Sequence, residues 1–96
     1  MPLLSSFFGI VVYMYWERQS KHYAAHFHAL CIMHYILYNE YECVYRLPDL
    51  LILSGKLPSR ADRMVRTWAK LHKEELIENW KRIKQDKPIK KISPLE

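Results

Sequence analysis

Residues 7 to 16 read Phe7-Phe8-Gly9-Ile10-Val11-Val12-Tyr13-Met14-Tyr15-Trp16, with Ser5-Ser6 before them and the charged Glu17-Arg18 after them. β-Branched and aromatic side chains fit the pleated surface of a sheet, and the length of the run suits a strand better than a helix. The spacing therefore predicts one strand from Phe7 to Trp16. Because its apolar residues are continuous, both of its faces are expected to be covered. Glu17 to Ala25 reads as a polar connection.

Further along, His26-Phe27-His28-Ala29 alternates, so as a strand it turns Phe27 and Ala29 to one face and both histidines to the other. Leu30 to Tyr38 reads equally as strand or buried helix. Asn39 tolerates a positive φ and stands between two β-like runs, so a tight hairpin is expected with Asn39 and Glu40 at its tip. That register sets Tyr38 opposite Tyr41, Leu37 opposite Glu42 and Ile36 opposite Cys43. It keeps Cys31 far from Cys43, which disfavours a disulfide. Tyr41 to Tyr45 continues as a strand, Pro48-Asp49 turns the chain, and Leu50 to Ser54 forms the last strand.

At Ser54-Gly55-Lys56-Leu57-Pro58 the texture changes from aromatic and β-branched to charged and helix-forming. Ser59 can cap a helix and Asp62 stands three residues on, an aspartate variant of the capping box. Apolar positions then recur at Met64, Val65, Trp68, Leu71 or His72, Leu76, Trp80 and Ile83, with no Gly or Pro before Pro88. This predicts one long helix, or two with a slight bend, within 59–85. Trp68, His72, Leu76 and Trp80 form a stripe at i+4 that packs on the sheet, with His72 half-buried. Residues 86–96 read as a basic extended tail pinned by Ile89, Ile92 and Leu95.

The whole is an expected α+β fold: an antiparallel sheet of about four strands and a long C-terminal helix packed on one face. Ninety-six residues, half of them apolar and 14% aromatic, suffice for one core, so residues 1–96 are read as a single domain. Wholesale disorder is excluded by the same composition. A core this small leaves stability marginal, and a homodimer or another partner would help it. The formal charge of +5 is lopsided: residues 1–46 are neutral, and the excess of Lys and Arg falls in residues 47–96, which suits an anionic partner. Two cysteines are too few for a disulfide framework, so a reduced, cytoplasmic protein is expected. The longest apolar runs are about half the ~20 residues a membrane-spanning helix needs, and no signal peptide is recognised.

Several stretches together resemble a known family. They are Pro2 with Ser6-Phe7-Phe8-Gly9-Ile10-Val11-Val12 and Met14-Tyr15, His26-Phe27-His28-Ala29, Tyr38-Asn39-Glu40-Tyr41-Glu42, and Gly55-Lys56-Leu57-Pro58-Ser59-Arg60-Ala61. The last continues through Trp68, Leu71-His72, Glu75-Leu76 and Asn79-Trp80 to Pro88-Ile89-Lys90-Lys91-Ile92 and Pro94-Leu95. On these the chain resembles the prokaryotic domain of unknown function 4160. It departs in having Ala24-Ala25 for a Pro-Pro pair, Asn39 for Gly and Ser54 for Glu, and in the added stretch Leu30 to Leu37, which a bulge or a non-strand turn must absorb. The resemblance implies association with toxin–antitoxin-like gene pairs and with a second small domain of unknown function, numbered 2442. It implies no chemistry.

His26 and His28 are the candidate catalytic residues, because an i, i+2 pair shares one strand face. A metal-independent ribonuclease would use them as general acid and base, with Arg60 or Arg63 facing the charged phosphorane and Tyr41 or Tyr45 orienting it. His22, His34 and His72 have no spacing that makes a third metal ligand, and neither Cys-x-x-Cys nor His-Glu-x-x-His occurs, so no metal and no cofactor are expected. Arg60, Arg63, Arg66, Lys70, Lys90 and Lys91 are the candidate contacts to nucleic acid or a partner. The expected role is that of a protein-interaction component of a two-gene, toxin–antitoxin-like module. Its partner is a small protein encoded by a neighbouring gene, with RNA or DNA as a second candidate ligand. The alternative is the ribonuclease.

Overall fold

A computed structural model describes residues 2–16, 24–34 and 38–96. The first apolar run does not make one strand. β1 (Leu3–Phe7) and β2 (Ile10–Tyr13) form a hairpin that turns on Phe8 and Gly9. Both turn residues have positive φ, 49° and 78°, as the tightest hairpin turns require. Glycine adopts this conformation freely; Phe8 does so as a residue 64% exposed. Ser5 and Ser6 therefore lie inside β1 rather than bounding a strand. A register shift between Leu3 and Ser5 accompanies the full burial of Leu4.

β3 (His26–His34) and β4 (Tyr38–Arg46) pair along nine consecutive residues with no register shift. The stretch Leu30 to His34 extends the strand, so no bulge is needed to absorb it. Asn39 and Glu40 lie within β4 opposite Met33 and Ile32, and Tyr38 opposes His34, not Tyr41. Continuous pairing of the two strands has outweighed the local turn preference of Asn39. The expected partners Ile36 and Leu37 lie outside the described residues, as does the connection at 17–23. Cys43 opposes Ala29, so Cys31 is its diagonal neighbour on one face and not distant from it; both are buried, free thiols.

Among the described residues, β5 (Ile52–Gly55) completes an antiparallel sheet of five strands in the order β1-β2-β3-β4-β5, one more than expected because the first run divides. Gly55 has φ +71°, and a side chain there would collide with the Glu42 backbone carbonyl.

The helical region is two helices, α1 (Ser59–Leu71) and α2 (Lys73–Lys84), that meet at His72 with φ −118° and ψ 27°. Hydrogen bonds continue through the joint, from His72 N–H to the Trp68 carbonyl and from Leu76 N–H to the His72 carbonyl. Glu75 lies 2.7 Å from the His72 ring. The expected cap is absent: Pro58 precedes the helix, Ser59 is inside it, and no side chain caps it. Asp62 is committed elsewhere, accepting hydrogen bonds from the Tyr45 hydroxyl and Arg66 Nε.

Trp68 is the centre of the core, with its ring 5.6 Å from Phe7 and 6.1 Å from Phe27. The tail closes the fold. Asn79 binds both backbone groups of Lys90, the Trp68 indole donates to the Ser93 carbonyl, and Ile92 N–H donates to the Leu4 carbonyl. Ile92 is buried, while Ile89 and Leu95 pack partly against the core.

Candidate functional site

β3 presents its side chains as the alternation requires. Phe27 and Ala29 are fully buried against the helices, and His26 and His28 point to the other face. That face is covered at the histidines, which are 2% and 5% exposed. His28 stacks on Tyr15 at 4.5 Å and on Tyr13 at 5.0 Å, with interplanar angles of 18° and 16°. His26 lies 5.0 Å from the Trp80 ring and 5.4 Å from His28, and its Nδ1–H donates to the Ala24 carbonyl at 2.8 Å. The Trp68–Trp80 stripe thus divides: Trp68 packs on the Phe27 side, and Trp80 reaches the histidines.

Glu42 adds a carboxylate. Adjacent on the same face, it accepts a hydrogen bond from the Tyr13 hydroxyl at 2.5 Å and places its other oxygen 3.7 Å from His28 Nδ1. Burial pushes the Tyr13 phenol well above its ordinary range, and the Glu42 hydrogen bond and charge add to this, with a smaller part from Tyr15. The phenol is therefore a fixed donor. Tyr13, Tyr15, Glu42 and Trp80 surround the histidine pair, yet none was singled out from sequence for that role. The available signal was the i, i+2 spacing of Tyr13 and Tyr15 opposite the histidine strand.

The groups assigned to a ribonuclease centre do not converge. Tyr45 opposes Phe27 and Tyr41 opposes Cys31, which places both on the helix side of the sheet, away from His26 and His28. Tyr45 is stacked on Phe27 at 5.3 Å and bonded to Asp62, and burial followed by that bond raises its phenol. Arg60 and Arg63 belong to α1, beyond the same sheet. Burial also raises the Cys31 and Cys43 thiols, which makes them poor nucleophiles.

Arg66 is not part of a free basic surface. Its Nε contacts both Asp62 oxygens, Nη1 donates to the Leu50 carbonyl at 3.1 Å, and the guanidinium lies 5.3 Å from the Tyr45 ring centroid. Arg60, Arg63 and Lys70 are exposed. Lys90 and Lys91 border an open groove with Glu74, Glu75 and Glu78, so the charge around them is mixed. Among the described residues no group of three or more His, Cys, Asp and Glu could hold a metal ion, and no helix is long and apolar enough to cross a membrane.

Among the described residues, five antiparallel strands in chain order, two C-terminal helices with Trp68 of α1 on the Phe27 face, and a histidine–tyrosine cluster on the other face that Trp80 of α2 reaches, define a small α+β protein. The chain belongs to the family described as Domain of unknown function (DUF4160), whose model matches residues 9–81. No curated protein and no solved structure matches it.

Proposed function

We propose that the chain is a partner-binding component of a two-gene, toxin–antitoxin-like module that works in the cytoplasm with a small protein encoded by the neighbouring gene. The observation that carries this reading is the edge strand β5, which pairs with β4 alone among the described residues and whose first residue, Ile52, is exposed along with Leu51 before it. Open edges are templates for another chain. The near-complete burial of His26 and His28 supports a structural part for them in preference to the ribonuclease alternative, because an acid–base pair must reach its substrate. Arg60, Arg63 and Lys70 would add weak, salt-sensitive contacts to RNA or DNA.

Co-expression with the neighbouring gene, followed by size-exclusion chromatography and growth curves, tests this. The two products are expected to co-elute, and each is expected to alter the effect of the other on growth. Separate elution with independent growth effects overturns the reading.

A further inference from the structure

We propose that β5 accepts an extended acidic segment of a partner protein as a sixth strand, with the segment's carboxylates held by Lys56, Arg60 and Arg63. This rests on the partner-binding reading and gives the partner a chemistry.

The two edges of the sheet differ. On β1, the Leu4 carbonyl is already taken by the N–H of Ile92 in the tail. β5 has no second neighbour among the described residues, so its outer N–H and C=O groups face away from the sheet. Main-chain bonds to such a row give affinity to an added strand, and flanking side chains select it. At the start of β5, Leu51 and Ile52 are 52% and 42% exposed. Natural edge strands usually carry charge at such positions.

Charge identifies the occupant. The carboxylates nearest β5 in sequence are both paired, Asp49 with Arg46 and Asp62 with Arg66. Lys56, Arg60 and Arg63 are exposed and make no ion pair among the described residues. Lys56 directly follows β5, and Arg60 and Arg63, three apart, share a face at the start of α1. An acidic segment complements this end of the edge. A second copy does not, because each chain brings a formal charge of +5.

The test is a titration of the isotope-labelled full chain with a short acetylated peptide of alternating valine and glutamate, followed by amide chemical shifts. Shifts are expected at Ile52 to Gly55 and at Lys56, Arg60 and Arg63. Arg60→Glu with Arg63→Glu, checked for folding by circular dichroism, should weaken binding by roughly tenfold or more. A peptide N-methylated at alternate amides, or one with lysine for glutamate, should not bind. Absence of shifts at millimolar peptide, equal binding of the methylated peptide, shifts confined to other surfaces, or concentration-dependent self-association through β5 each overturns the proposal. If the neighbour's product co-elutes while the peptide leaves β5 unshifted, the edge proposal falls and the partner reading stands. If the peptide seats on β5 but the two products elute apart, the reverse holds.

Discussion

The Asn79 side chain clamps Lys90, donating to its carbonyl at 2.9 Å and accepting from its N–H at 2.7 Å. Asn79 is buried, so Asn79→Ala leaves both backbone groups of Lys90 without these partners. A loss of about 1 to 3 kcal/mol is expected. Denaturant melts measure it, and faster hydrogen exchange at the Ile92 amide should accompany it. Unchanged exchange at Ile92 would mean that the clamp does not hold the tail.

Trp68→Ala removes the core's central ring together with its bond to Ser93, and is expected to cost about 3 to 5 kcal/mol. Trp80→Ala uncovers His26 as well as opening a cavity and should fall in the same range. Melts of either variant that superimpose on the parent would contradict the packing described.

His26→Gln and His28→Gln should each destabilise the chain by more than about 1 kcal/mol, because each ring is packed against aromatic neighbours. An open face would have tolerated glutamine. Thermal melts decide between the two. Partner binding should persist in any variant that stays folded, whereas a catalytic role predicts that an RNA-cleaving activity disappears while folding is kept.

Binding to RNA, measured by fluorescence anisotropy, should weaken steeply as salt rises. Arg60→Ala, Arg63→Ala and Lys70→Ala should each reduce the salt dependence. Arg66→Ala should act chiefly by lowering stability, since it releases Asp62 and the Leu50 carbonyl. Affinity that is insensitive to salt would remove the electrostatic account.

Arg46 holds the Asp49 carboxyl down, from its ordinary 3.8 to about 2, mainly through their hydrogen bond. A folded-state value below the unfolded one means that this contribution is present above about pH 4 and is lost as pH falls toward 2. Asp49→Asn should therefore lower stability at neutral pH by more than at pH 2. Parallel pH-dependent melts of parent and variant that keep a constant separation would exclude the linkage.

Local chemistry made several features legible in the sequence. The β character of the first half, the boundary at Gly55 to Pro58, the apolar period of the helices and the anchoring of Ile92 all follow from residue type and spacing. The alternation of His26 to Ala29 was also readable. What covers the histidines was not, because Trp80 belongs equally to a core stripe, and only the fold, with its helix break at His72, brings it to His26. Gly9 was hidden inside a continuous apolar run, so one hairpin read as one strand. Arg66 looked like its basic neighbours, and only the fold brings Asp62, Tyr45 and Leu50 around it.

The bond between Leu4 and Ile92 joins segments near opposite ends of the described chain. Its consequence is one of order in time. During synthesis the Leu4 carbonyl on the outer edge of β1 waits for Ile92 until the tail has emerged, so this bond forms only after all five strands have been made. A chain shortened before Ile92 would leave the Leu4 carbonyl without this donor and expose more of the β1 edge, so self-association through β1 would become its characteristic failure.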